Sequence, residues 1–179
     1  MALDAARVQL RPWQAGDADA LHQLVRASHA PLSRWLPWCH PGYGLADVRS
    51  WIDHSLASWQ ARSAFPFAVV NADTGTLLGS AGLSRFDVAQ KIANLGYWVG
   101  APFVGQGIAA AAAREAARFG FDDLGLQRIL VRVLPDNHAS LGVARKLGAR
   151  YEATVPDDTR HGDAPRDLLV HVLTARDLA

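Results

Sequence analysis

Two glycines spaced by one residue, Gly105 and Gly107, stand where an apolar segment gives way to an alanine-rich one. The stretch reads Gly96-Tyr97-Trp98-Val99-Gly100-Ala101-Pro102-Phe103-Val104-Gly105-Gln106-Gly107-Ile108-Ala109. Its pattern is a strand, then a loop, then the start of a helix. Glycine in such a loop admits positive φ and lets a ligand approach the backbone amides closely. The unpaired N–H groups and the dipole of the helix start form an anion site without any charged side chain. A phosphate or pyrophosphate is the expected guest, and a plain glycine turn is the alternative.

The same residues also read Gly105-x-Gly107-x-x-Ala110, close to the dinucleotide fingerprint. That fingerprint follows its strand directly, whereas Ala101-Pro102-Phe103-Val104 intervene here, and it opens a parallel run rather than following an antiparallel hairpin. Asp136, the acidic residue available for a ribose, lies farther on than the usual spacing of about 20 residues. Further along, Asn137 and Ser140 are spaced as residues that open a helix, and capping alone would account for both. The seven histidines show no His-x-x-x-His or Cys-x-x-Cys spacing, so no metal site is read. Cys39 has no evident His partner and reads as a small buried hydrophobe.

These residues need a scaffold. Val8 and Leu10 alternate with polar neighbours as a short strand that Pro12 ends. Asp17 is placed to cap a helix carrying Ala20, Leu21, Leu24 and Val25, while Pro31 to Gly44, rich in Pro, Gly and Trp, reads as a loop. A second amphipathic helix is expected over about Ala46 to Arg62, with Val48, Trp51, Ile52, Leu56 and Trp59 as its apolar members. Phe65 to Val70 and Leu77 to Phe86 form a hairpin around Asn71 to Gly75, and Ala93 to Val99 is the next strand. A helix from Gly107 to about Asp123, a strand from Arg128 to Leu134 and a helix from Ser140 to Leu147 follow. Tyr151 to Val155 and Leu168 to Thr174 are the last two strands. Hairpins first and β-α-β-α later predict an α/β (mixed α+β) fold with a largely antiparallel central sheet of about seven strands flanked by helices.

At 179 residues, half of them hydrophobic and a fifth charged, the chain suits a single domain over residues 1–179 with an apolar core. A net charge of +1 gives no general footprint for nucleic acid or for a membrane surface. The longest apolar stretch, around Ile108 to Ala113, is too short to span a bilayer, and Met1 to Leu10 lacks a signal-peptide pattern. With one cysteine and hence no internal disulfide, a cytoplasmic location is expected.

The glycine loop resembles the pyrophosphate loop of the GNAT superfamily of N-acetyltransferases. Leu124-Gly125-Leu126-Gln127-Arg128-Ile129, Asn137-His138-Ala139-Ser140 and Lys146-Leu147-Gly148 are similar to the RimJ/RimL-type branch, which acetylates protein N-terminal amines. Leu10-Arg11-Pro12-Trp13 at one end and Leu173-Thr174-Ala175-Arg176-Asp177-Leu178 at the other fit the same pattern, so the resemblance covers nearly the whole chain. It implies acetyl-CoA as cosubstrate, with the pyrophosphate on the backbone of Val104, Gly105, Gln106, Gly107, Ile108 and Ala109. It places Trp98, Val99 and Gly100 along the pantetheine arm, although Trp98 reads equally as a core aromatic. It gives Asn137 to the pantetheine amides and Ser140 to the departing thiolate. Pro102 and Val104 stand where the family often has Gln or Arg, and Ala144 stands where many members have a tyrosine acid, leaving Ser140 or water to fill that role.

Acetyl transfer needs a neutral amine, and a free alkyl amine is mostly protonated at neutral pH, so a carboxylate or a water relay is expected to take a proton. A carboxylate common in the family before Gly-Tyr-Trp is Asn94 here, and a Glu found after the sixth strand falls on about Thr159. Asp158, beside Asp157, is ranked first as base and Glu152 second, with Asp87 a further candidate; each also reads as a solvated surface carboxylate. The acceptor is expected to be a protein N-terminal amine or a small-molecule amine. Trp35, Trp38 and Tyr43 would line its pocket or a core under the loop. A homodimer is expected from family habit alone. A non-catalytic acetyl-CoA or CoA-binding module is the alternative to an enzyme.

Overall fold

The apolar runs of Phe65–Asn71 and Leu77–Asp87 form an antiparallel hairpin, β2 and β3, whose Asn71 side-chain oxygen accepts from the Asp73 and Thr74 amides in the turn. In this computed structural model, which describes residues 7–156 and 166–178, the hairpin lies inside a seven-stranded sheet. Strand β1 (Val8–Pro12) pairs with β2 on one side, and β4 (Ile92–Val99) pairs antiparallel with β3 on the other. Strand β5 (Arg128–Val133) runs parallel to β4, and the hairpin of β6 (Arg150–Pro156) and β7 (Asp167–Leu173) completes the order β1-β2-β3-β4-β5-β7-β6. The β4–β5 pair is the sole parallel one among the described strands, as the intervening helix requires.

Helices cover both faces. Helix α4 (Ile108–Asp122) lies on β1, β3 and β4, and α5 (His138–Lys146) packs on α4 and β5. Ala112, Ala113, Ala116 and Ala117 are fully buried on α4, and these small side chains let the helix sit close to Leu83, Ala93 and Leu95 of the sheet. On the opposite face, α1 (Ala18–Ala27), the short α2 (His29–Ser33) and α3 (Leu45–Ala61) enclose a second core around Trp13, Leu21, Val25, Val48 and Ile52.

Three local expectations change. Helix α1 starts at Ala18, so Ala18 rather than Ala20 joins Leu21 and Val25 on the buried face. Asp17 makes no side-chain cap to α1; Arg11 grips its carboxylate at 2.7 and 2.8 Å, and the Gln14 amide donates to it at 2.8 Å. The segment expected as a loop opens with α2, where Pro31 falls in the first turn and its missing N–H costs no helical bond.

Candidate active site

The sheet opens between β4 and β5. The two strands are in register only at Ile92↔Arg128, Ala93↔Ile129 and Asn94↔Leu130, and beyond Asn94 no pairing continues. The Gly100 amide donates to Leu78 O at 2.8 Å, toward β3. Strand alternation therefore turns the N–H and C=O groups of Tyr97 and Val99 to the other edge, into the fork. A sheet edge left unpaired within a fold is a template for an extended ligand.

The glycine loop lies at the end of this edge. A 3-10 turn, Ala101–Phe103, follows β4, held to the end of α1 by the Ala101 amide donating to Ser28 Oγ at 2.8 Å. Gly105 and Gly107 take φ of 79° and 78°, the left-handed region that disfavours a side chain. Gly107 caps α4, and the first helical bond runs from the Ala111 amide to Gly107 O, so the Ile108, Ala109 and Ala110 amides precede the ladder. Val104 is exposed and Gln106 Nε2 donates to Pro102 O at 3.3 Å, so the loop offers backbone rather than cationic side chains. Gly100 has a packing reason of its own: a Cβ there would stand 2.3 Å from Leu24 Cδ1.

Across the fork, α5 brings up Ser140. The Asn137 side-chain oxygen accepts from the Ser140 amide at 3.1 Å, so the capping reading of Asn137 is realised, while its Nδ2 can still donate. Ser140 Oγ lies 3.1 Å from Tyr97 Oη, which is also 3.2 Å from Ser140 O. Burial pushes the Tyr97 phenol up to about 12, with the hydrogen bond to Ser140 pulling weakly the other way. It stays protonated and can donate. Ala144 on α5, where many family members have a tyrosine acid, is buried in the core. The hydroxyl comes from β4 instead. The only sequence signal for it is the odd-numbered register of Tyr97 with the buried Ala93 and Leu95.

Two cavities meet at β4. The smaller, of about 260 Å³, fills the fork and is lined by Asn94, Tyr97, Arg132, Asn137 and Ser140 among others. Asn94 Oδ1 and Arg132 Nε are buried there without a hydrogen-bond partner among the described residues. The larger, of about 650 Å³, lies between the sheet and α3, with Trp38, Tyr43, Asp47, Trp51, His54 and Trp98 in its lining. Leu36, Gly96 and Tyr97 line both. Trp98 faces this larger space, its ring 5.8 Å from that of Trp38, so its side chain joins the α1–α3 core while its backbone belongs to β4. Burial pushes the Tyr43 phenol up to about 12, aided by the charge of Asp47 and by Cys39.

The carboxylates expected as bases do not gather here. Glu152 forms a surface ion pair with Arg128 at the start of β5, the end away from the fork, and lines neither cavity. Asp87 accepts from Gln90 in the β3–β4 turn. Asp158, with Asp157 and Thr159, lies outside the described residues. The fold also brings Asp47 and His54 to the larger cavity, on a helix that reads in sequence as purely structural. Among the described residues, no group of three or more His, Cys, Asp or Glu could hold a metal, and no helix is long and apolar enough to cross a membrane.

A forked sheet and a glycine-opened helix on its free edge suit an extended ligand ending in a pyrophosphate, and the chain's relatives agree. A family model described as acetyltransferase (GNAT) domain matches residues 7–150, and the chain belongs to that family. The enzyme is an N-acetyltransferase that draws its acetyl group from acetyl-CoA. It is 25% identical over 176 residues to a Bacillus subtilis (strain 168) protein named "Putative ribosomal N-acetyltransferase YdaF", covering 95% of this chain and 92% of that relative. RimJ of Mycobacterium smegmatis, solved with CoA-disulfide, is 27% identical, with a TM-score of 0.88 over 99% of this chain and 86% of that one. RimL, the ribosomal L7/L12 alpha-N-protein acetyltransferase solved with coenzyme A, shares the fold at a TM-score of 0.84 and 22% identity, over 94% of each chain. The nicotinamide reading of the glycine loop falls away.

Proposed function

We propose that this N-acetyltransferase binds acetyl-CoA along the free edge of β4 and acetylates a primary amine, most simply the N-terminal α-amine of a protein. The observation that carries the cofactor side is the fork, whose free edge exposes the Tyr97 and Val99 backbone, ends in the left-handed Gly105 and Gly107, and borders a cavity lined by Asn94 and Arg132 with their orphaned atoms. The protein acceptor is supported by the ribosomal name of the Bacillus relative and by the likeness to RimJ. A small-molecule amine is the second reading, favoured by a cavity of about 650 Å³, within the size range of small-molecule sites.

In this reading, the amides of Val104 to Ala109 take the pyrophosphate oxygens, with Val104 contributing backbone alone. Val99 and Tyr97 pair with the pantetheine amides as an added strand would, while Trp98 and Gly100, whose amides turn toward β3, hold the edge in place. Asn137 donates through Nδ2. Acetyl-CoA supplies the acetyl group activated as a thioester. A backbone N–H of this edge near Val99, facing the fork and not taken by pantetheine, is the donor for the oxyanion that develops during attack. Ser140 and Tyr97 hold a proton beside the position of the leaving sulfur, Ser140 Oγ in contact and Tyr97 Oη behind it. Proton removal from the amine falls to a group at the larger cavity or to water; Asp158 stays a candidate and Glu152, tied to Arg128, does not.

The test is thermal unfolding with acetyl-CoA, CoA and NADH added separately, followed by acceptor-dependent CoA release. A ligand at about a hundredfold over its Kd adds roughly 2.7 kcal/mol. Stabilisation by acetyl-CoA and CoA together with release of CoA is expected. Stabilisation without release across peptide and small amines would mean a binding module, and stabilisation by NADH alone would overturn the reading.

A further inference from the structure

The larger cavity has a lining that states what it takes. Helix α3 presents Asp47, Trp51, His54 and Ser58 along one face, at the i, i+4, i+7, i+11 spacing that stacks side chains on a single stripe. Opposite them stand Trp38 and Trp98, their ring centroids 5.8 Å apart, and Tyr43, 5.2 Å from Trp38. Trp38 and Trp51 remain 36% and 38% exposed, although both point into a concavity rather than onto a convex surface. Indole faces left wet inside a cavity favour an apolar or aromatic occupant, which gains by removing both surfaces from water. Besides Tyr43 the ionisable points are two, Asp47, whose carboxylate accepts the Gly44 amide at 2.8 Å, and His54, 3.4 Å from Ser58 Oγ; the other polar lining is the small hydroxyls of Ser50, Ser58, Ser80 and Ser84. Asp47 disfavours an anionic group alongside it.

The cavity reaches the fork at Gly96. A Cβ on Gly96 would meet nothing within 4 Å, so the wall between acceptor space and cofactor space is open there. An amine delivered through this opening must have its body in the aromatic space behind it.

We infer that the acceptor carries an aromatic or large aliphatic group beside its reacting amine and no carboxylate next to it, the group seating among Trp38, Trp51 and Trp98. The inference rests on the transferase reading above and adds the class of amine. Two sources share this chemistry: a peptide beginning with a bulky apolar residue, and a free arylalkyl amine. The experiment measures acceptor-dependent CoA release with phenylalanyl-, leucyl-, glycyl-, alanyl- and glutamyl-peptide amides, with phenethylamine and with ethylamine. Bulky apolar acceptors should exceed the glycyl and alanyl ones in kcat/KM by about tenfold or more, as filling an apolar pocket typically gives. Peptide over phenethylamine, or the reverse, identifies the source. Trp51→Ala should lower kcat/KM for the bulky acceptors, mainly through KM, by a several-fold larger factor than for the glycyl peptide, and Trp51→Phe should restore most of the loss. Glycyl or alanyl acceptors equal to the bulky ones, or Trp51→Ala without selective effect, would overturn the inference. Stabilisation by acetyl-CoA with turnover of the glycyl or alanyl acceptors but of no bulky apolar amine would also overturn it, leaving the transferase reading intact. Loss of that stabilisation in the unmodified protein would remove both.

Discussion

Tyr97 Oη and Ser140 Oγ lie 3.1 Å apart although 43 residues separate them in the chain, one on the free edge of β4 and the other in the first turn of α5. The contact spans the fork of the sheet and joins the two walls of the cofactor crevice. A hydroxyl relay follows from it. Tyr97→Phe and Ser140→Ala should each lower kcat by about ten- to a hundredfold, within and below the range general acids contribute, because water substitutes in part. The acetyl-CoA-induced rise in Tm should persist in both. In the double variant the losses should fall short of additivity, since the two groups act as a unit.

The Tyr97 phenol also predicts an alkaline limit on stability. Burial holds its folded-state pKa at about 12, above the unfolded value of about 10. A raised pKa gives stability that is complete below the unfolded value and is lost as pH rises through the folded one. Urea unfolding between about pH 10 and 12 should therefore show a steeper decline in the parent than in Tyr97→Phe. Equal slopes would mean the phenol ionises without resistance.

Gly107 supplies the left-handed cap of α4, with φ of 78°. Gly107→Ala should cost about 1–2 kcal/mol, the strain of a side chain in that region. It should also weaken acetyl-CoA binding by shifting the amides of the first turn. Chemical denaturation reads the first effect and ligand-induced Tm the second.

The Arg11–Asp17 pair locks β1 to the start of α1, with side-chain exposures of 27% and 12%. Burial would raise the Asp17 carboxyl, but hydrogen bonds from Arg11 and the Gln14 amide, with the Arg11 charge, outweigh it and hold it below the usual carboxylate range. A depressed pKa gives stability present above the unfolded value of about 3.9 and lost as pH falls through the folded one. Asp17→Asn should lower stability at pH 7 by about 1–3 kcal/mol, as expected for a charge-assisted hydrogen bond. The gap should narrow below about pH 4.

Glu152 offers the opposite outcome. Its partner Arg128 and both exposures, 37% and 50%, describe a solvent-screened pair. Glu152→Gln should change stability by no more than about 1 kcal/mol and leave kcat near the parent value. A large fall in kcat at unchanged acetyl-CoA binding would return Glu152 to the base position.

The local grammar of the chain determined most elements by itself. Short apolar runs bounded by turn residues marked β2, β3 and β4, and the glycines before the alanine-rich run marked the start of α4, because these signals depend only on neighbours within a few residues. Asn137 was legible as a cap for the same reason. Only the tertiary structure decided what the elements do to one another. That β4 and β5 part after Asn94 depends on sheet twist and on α4 and α5 packing beneath them, none of which is written in either strand. The approach of Tyr97 to Ser140 follows from that parting, while the β6–β7 hairpin carries Glu152 to Arg128 at the start of β5. The stripe of Asp47, Trp51 and His54 reads in sequence as one more amphipathic helix. It becomes the wall of a cavity only because α3 leaves a space of about 650 Å³ above the sheet that its side chains do not fill.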